Sequence, residues 1–304
     1  MYLPTLTLRL AAGLEHVPEL QRARHGGFIK ARQRPDGGFA GREGQSDLYY
    51  TSFALRSLAL LGELQGEPAE RAAAFLQSKL QEHAPVVDFL SLVYGANLLE
   101  MAAGVDVFAA SQPEWRASVA ALLETFRRDD GGYAKGPEGA ASSTYHSFLV
   151  VLCQQLLETP TPAPERLVEF VESQRRADGG FVEIRAMRRS GANPTAAAIG
   201  LLRILDALNQ ETAEATADFL LDMQNDEGGL RANTRIPIAD LLSTFTGLLT
   251  LADLDCLHEA DLDAARRYAA SLEQPEGGFL GAAWDQTCDV EYTFYGLATL
   301  ALLS

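Results

Sequence analysis

The carboxylates of this chain carry the first hint of chemistry. Asp289 and Glu291 stand two apart in Asp289-Val290-Glu291-Tyr292-Thr293, directly before an apolar run. Paired carboxyls can do general acid work when dry surroundings keep one of them protonated. Asp289 has counterparts. Asp47, Asp88, Asp240 and Asp289 each lie four residues before a position that opens an apolar segment: Thr51, Leu92, Thr244 and Thr293. Ser142 and Gly191 fill the equivalent places before His146 and Thr195. Gathered at one rim, the four Asp would form an acidic mouth suited to a divalent cation, zinc or magnesium, or to a cationic ligand. Like charges converging there would repel. The same residues are equally good helix N-caps, and a first-turn Glu291 would meet the positive end of a helix dipole. Aromatics crowd the same segment starts, among them Tyr49, Tyr50, Phe53, Tyr145 and Phe294. A lumen lined in this way suits a long apolar ligand. His146 fits either a hydrogen-bonded structural residue or a place on that lining.

Elements that recur must position these side chains. Glycine pairs punctuate the chain, as in Gln33-Arg34-Pro35-Asp36-Gly37-Gly38-Phe39, with first glycines at 37, 131, 179, 228 and 277. The spacings are 94, 48, 49 and 49. Because 94 is close to two periods, a degenerate unit belongs near Ala84-Pro85, which makes six units. In each unit a segment with one polar face runs up to the glycine pair, read here as a helix stop. A polar loop and a more apolar segment follow. The pattern predicts inner helices near 48–63, 88–103, 145–158, 194–208, 241–254 and 290–303. Outer helices are predicted near 18–33, 67–81, 113–128, 163–176, 212–224 and 260–273. An open stack needs polar ends, whereas residues 297–303 are almost wholly apolar, so the row should close on itself. The expected fold is all-α: an α/α toroid of six helix hairpins, an α6/α6 barrel, as one domain over residues 1–304.

The string Gln-x-x-Asp-Gly-Gly-Phe, followed by Tyr50-Thr51-Ser52-Phe53-Ala54-Leu55, resembles the repeat of the prenyltransferase and squalene cyclase family. That resemblance implies a toroid whose active site lies in the central cavity, where the inner helices begin. A single ring of this length resembles the β subunits of protein farnesyl- and geranylgeranyltransferases. It implies an isoprenoid-like small molecule as ligand and an α-subunit-like protein as partner. The family's catalytic zinc would fall to Asp240, Leu242 and Tyr292, of which Asp240 alone is a family ligand; leucine cannot ligate zinc. The diphosphate would meet Arg231 and Arg235, in shifted register, while the family's His position is Gly191. Squalene cyclases resemble the last unit with Asp-x-Asp-Asp-Thr, whose middle acid protonates an alkene. Glu291 stands at that middle place, with Asp289 before it and Tyr292 after it. Three functions follow. The first is a prenyltransferase β-like toroid that binds an isoprenoid or related apolar ligand, its zinc site largely lost. The second is a class II terpene or squalene cyclase-like enzyme using Glu291 and Asp289. The third is a non-catalytic binding scaffold.

Bulk properties exclude more than they assign. Lys and Arg number 25 against 41 Asp and Glu, a net charge of −16 in 304 residues. Such a surface repels phosphate backbones and anionic lipid, so no nucleic-acid partner is expected. No apolar run suggests a membrane span. Three scattered cysteines, Cys153, Cys256 and Cys288, suit a reducing, cytoplasmic setting better than a disulfide framework.

Overall fold

The computed structural model describes residues 1–80 and 85–304. A first helix, α1 (Tyr2–Leu14), precedes the repeat. The hairpins then pair α2 (Glu19–Lys30) with α3 (Leu48–Leu60), and α4 (Glu67–Ser78) with α5 (Val86–Ala103). Next come α6 (Trp115–Glu124) with α7 (Thr144–Leu156) and α8 (Pro164–Ser173) with α9 (Ala192–Ile204). The last are α10 (Gln210–Leu221) with α11 (Leu241–Asp253) and α12 (Leu262–Leu272) with α13 (Val290–Leu302). Each inner helix packs on the next, α3 on α5 through to α11 on α13, and α13 returns to α3. The fold is an all-α toroid of six hairpins.

Burial separates the two rings of helices as their composition requires. Inner α3 buries residues on every side, including Thr51, Phe53, Ala54, Leu55 and Leu58, whereas outer α8 buries only Leu167, Phe170 and Val171. A helix that is apolar all round must be enclosed, and one with a single stripe lies at the surface. The longest inner helix, α5, is apolar enough to cross a membrane by length and composition alone, and most of it is buried in the ring.

The glycine pairs do not end the outer helices. α2 stops at Lys30 and α8 at Ser173, both with right-handed C-cap residues, several positions before the glycines. Gly37 instead closes a tight turn: its N–H donates to the Arg34 carbonyl at 2.9 Å, and the Arg34 N–H donates to Gly38 at 2.9 Å. Its φ is +88°, and Gly131, Gly179, Gly228 and Gly277 share that sign. A neighbour enforces the choice. A Cβ on Gly37 would sit 2.1 Å from the Arg71 carbonyl of α4, and one on Gly277 would sit 2.7 Å from the Arg24 carbonyl of α2. Each turn thus seats against the outer helix of the next hairpin, the sixth against the first. Contact with the neighbouring helix, together with the turn, demands glycine here.

The residue after each pair ties the turn to its inner helix. The N–H groups of Phe39, Phe181 and Leu230 donate to the hydroxyls of Thr51, Thr195 and Thr244 at 2.9 Å. The Tyr133 N–H donates to Ser147 at 2.9 Å, so Ser147 and not His146 is the third anchor, and Ser143 rather than Ser142 caps α7. In the second hairpin Pro85 is the N-cap and Asp88 lies in the first turn, which removes Leu92 as an anchor. Ala84 of the degenerate unit, and residue 81 of the expected outer helix, lie outside the described residues.

Helix α1 closes one end of the ring. The Tyr2 N–H donates to Gln155 at 2.9 Å and its hydroxyl to Asp253 at 3.0 Å, both at the C-terminal ends of inner helices. The Thr7 hydroxyl shares a short hydrogen bond with that of Tyr94 on α5. Leu3, Leu10 and Leu14 are buried, and their spacing of seven and then four residues, two turns and one, is the amphipathic signal for this helix.

Candidate functional site

The lumen holds a cavity of about 410 Å³, within the roughly 300–1,000 Å³ typical of small-molecule sites. Its wall comes in layers because each hairpin contributes the same positions. Two residues beyond the N-caps stand Tyr49, Val87, Tyr145, Asn193 and Leu242, all bordering the cavity. The sixth such residue, Glu291, lies against Tyr49. About one turn deeper are Phe53, Phe148, Ala196, Phe245 and Phe294. Below them lie Arg56, Tyr94, Leu152 and Leu249, and the floor is Leu3, Leu6, Thr7 and Leu10 of α1. At 1.5 Å of rise per residue, Arg56 sits about 10 Å below the rim.

Glu291 is the most altered acid at that rim. The Tyr49 hydroxyl donates to its carboxylate at 2.6 Å. Burial pushes the carboxyl up to about 7, with Asp289 adding to the rise while the Tyr49 bond, Arg42 and Arg56 pull against it. Near neutral pH the group therefore exchanges readily between acid and carboxylate. Burial and the facing Glu291 also raise Tyr49 and Tyr50, and push Tyr292 up to about 12. Burial likewise raises Tyr145. All four phenols remain neutral donors at ordinary pH.

Asp289 caps α13 through the Tyr292 N–H at 2.8 Å and is 4% exposed. Its other oxygen pairs with the Arg42 Nε at 3.0 Å, and Arg42 also holds Asp285. An unrelieved cluster of like charge is therefore not what the rim contains at this point. Asp47 caps α3 through the Tyr50 N–H at 2.8 Å. Asp240 caps α11, one oxygen accepting from the Ser243 N–H at 2.7 Å and the other from its hydroxyl at 2.8 Å. Burial raises both carboxyls against those bonds. His146 packs beside Tyr145, and burial together with Lys135 lowers its pKa.

The two loop arginines stand elsewhere. The Arg231 guanidinium donates to the Met223 and Asp222 carbonyls, and Arg235 is exposed in the loop; neither borders the cavity. The structure thus gathers Asp289, Glu291, Tyr50 and Tyr292 around Tyr49 and Arg42, and leaves Arg231 and Arg235 outside. The zinc positions offer few donor atoms. Leu242 has none, Asp240 is occupied as a cap, and among the described residues no three His, Cys, Asp or Glu side chains cluster. This set does not fit a zinc ion.

Two cavity residues escaped the sequence reading. Arg56 is the sole charge in α3, a signal that in isolation marks a solvated face. Glu183 reaches the cavity from the loop before α9, takes a short hydrogen bond from the Ser143 hydroxyl, and is raised by burial.

Comparison with known proteins places this architecture. The family model of the prenyltransferase alpha-alpha toroid domain matches residues 3–91 and 96–304. Among solved structures, Candida albicans protein geranylgeranyltransferase-I complexed with GGPP is 17% identical, with a TM-score of 0.74 over 92% of this chain and 90% of that one. A variant of the type II terpene cyclase MstE from Scytonema, in complex with geranylgeranyl dihydroxybenzoate, is 13% identical. Its TM-score is 0.65 over 100% of this chain and 98% of that one. A glycosidase variant in complex with glucose is also 13% identical, with a TM-score of 0.56 over 98% and 96%. No curated protein matches the chain. At such identities the likenesses establish the fold, and the fold hosts several chemistries.

Proposed function

Because the chain belongs to the prenyltransferase alpha-alpha toroid family, we propose that it binds an isoprenoid or a comparable long apolar ligand in its lumen, as one domain over residues 1–304. The observation that carries this reading is the blind cavity itself, walled by aromatic and aliphatic side chains and floored by α1. A chain-like ligand displaces water from apolar surface along its whole length, which is the dominant favourable term in such binding. Two of the structural neighbours are named with geranylgeranyl ligands. Ala196 presents the smallest side chain in the middle layer, so Ala196→Phe should fill the lumen without disturbing the ring. Purified protein should bind geranylgeraniol, and the variant at least tenfold more weakly at unchanged melting temperature. Equal binding by both proteins would place the ligand elsewhere.

Zinc-assisted transfer is not part of the proposal, given Leu242 and Tyr292 at two ligand positions. Purified protein should carry far less than one zinc per chain by elemental analysis. One equivalent of zinc lost on Asp240→Asn would overturn that expectation.

A second reading rests on Glu291. A largely buried carboxyl held near pH 7 could give its proton to a ligand C=C bond, forming a C–H bond and leaving a carboxylate that Tyr49 stabilises. Loss of a proton from the resulting cation to water, and return of a proton from water to the Glu291 carboxylate, would complete the cycle. Tyr49 stands between Glu291 and the cavity, so this route runs past or through the phenol.

A further inference from the structure

Arg56 acts on Glu291 only at a distance, and its immediate surroundings ask for a partner. Its guanidinium lies in the deep layer of the lumen, 4.8 Å from the ring centres of Phe53 and Tyr94 and 5.8 Å from that of Phe294. Rings attract a cation but offer no lone pairs to its N–H groups. The one hydroxyl among them, that of Tyr94, is engaged by Thr7 of α1. Among the described residues Arg56 forms no ion pair, and its Nε is buried without a hydrogen-bond partner. At that depth Leu152 and Leu249 are apolar, and the Thr250 hydroxyl donates to the Thr246 carbonyl at 2.8 Å. A desolvated charge is costly until an opposite charge meets it.

We propose that Arg56 anchors the anionic end of the cavity's ligand, an apolar chain bearing one carboxylate or phosphate group seated in the deep layer. This deepens the isoprenoid-binding reading and rests on it. A guanidinium accepts such a group through two parallel N–H bonds, a geometry that lysine cannot copy. The position also accounts for the loop arginines. Arg231 and Arg235 do not border the cavity and Arg42 at the rim is held by Asp285 and Asp289, so Arg56 is the cation among the lining residues and the anion site lies at depth. The same placement bears on the acid reading, since Arg56 already occupies the faces of Phe53 and Phe294 that a substrate cation would seek.

The experiment titrates the purified full chain with geranylgeranoic acid, geranylgeranyl monophosphate and geranylgeraniol by calorimetry. At least one anion should bind roughly tenfold or more tightly than the alcohol, as expected of charge-assisted hydrogen bonds. The tighter of the two names the group. Arg56→Met should bring that anion to the affinity of the alcohol, and Arg56→Lys should keep only part of the preference. Equal affinity of all three ligands for the wild type, which needs no variant, would overturn the proposal while leaving the binding reading intact. An anion preference that survives Arg56→Met would overturn it as well. Failure of all three to bind would remove the binding reading, and this inference with it.

Discussion

Gly179→Val is expected to lower the melting temperature by at least roughly 6 °C, the consequence of losing about 4 kcal/mol or more. Two independent faults combine at this position. Its φ of +84° is one that a β-branched residue adopts only under strain, about 1–3 kcal/mol for such backbone outliers. The new Cβ would also lie 2.1 Å from the Ala215 carbonyl, main-chain atoms of α10 that cannot swing aside as a side chain could. Relief requires the fourth and fifth hairpins to part, and each hairpin buries its apolar stripe only against its neighbours. Gly136→Ala supplies the control, because nothing lies within 4 Å of the added atom. It should change stability by no more than about 0.5 kcal/mol. Circular dichroism melts of both variants check the pair, and a Gly179→Val protein that melts like wild type would refute the assigned seating of turn on helix.

Glu291→Gln is expected to stabilise the protein at pH 8 and to leave it unchanged near pH 4. The folded carboxyl titrates at about 7, above the ordinary value of 4.5. Between those values the folded state holds a proton that the unfolded state has released, so wild-type stability falls as pH rises through the window and levels off above it. Allowing for partial solvent access, the loss amounts to about 2 kcal/mol, a few degrees in melting temperature. Glutamine keeps an acceptor for the Tyr49 hydroxyl and has no charge to desolvate. The difference between variant and wild type should therefore grow from pH 4 to pH 7 and then stay constant. Other raised acids, such as Asp47, Glu183 and Asp240, titrate in both proteins and drop out of that difference. Parallel stability curves across pH would show that Glu291 is not held in the protonated range, and the acid-initiated reading would go with it.

The ring was legible because its instructions are local and repeated. Glycine pairs near a 49-residue period, Asp caps and buried Thr anchors recur in register, and the predicted starts of the inner helices at 48, 241 and 290 coincide with α3, α11 and α13. Where several polar residues compete, the register slipped: Ser143, Thr144, His146 and Ser147 all stand within one turn, and only the Tyr133 N–H selects Ser147. The glycines close turns against a neighbouring helix rather than end their own, and a sequence shows which residue needs φ > 0 but not which neighbour presses on it. The site was less legible still. Tyr49 and Glu291 are 242 positions apart and meet only because the sixth hairpin returns to the first. Arg56 looks like a surface cation until closure turns its helix face inward.

Helix α1 lends the fold a property that the repeat alone does not have. The ring fixes the width of the lumen, since its diameter follows from six hairpins and their shared turns. Its length is set by Leu6, Thr7 and Leu10, which belong to a segment outside the repeat. With the ligand seated as proposed, substitutions at Leu6 or Thr7 would reshape the space beside Arg56 while the turn-to-helix contacts between hairpins stay as they are. The width and the depth of the lumen thus answer to separate segments of the chain.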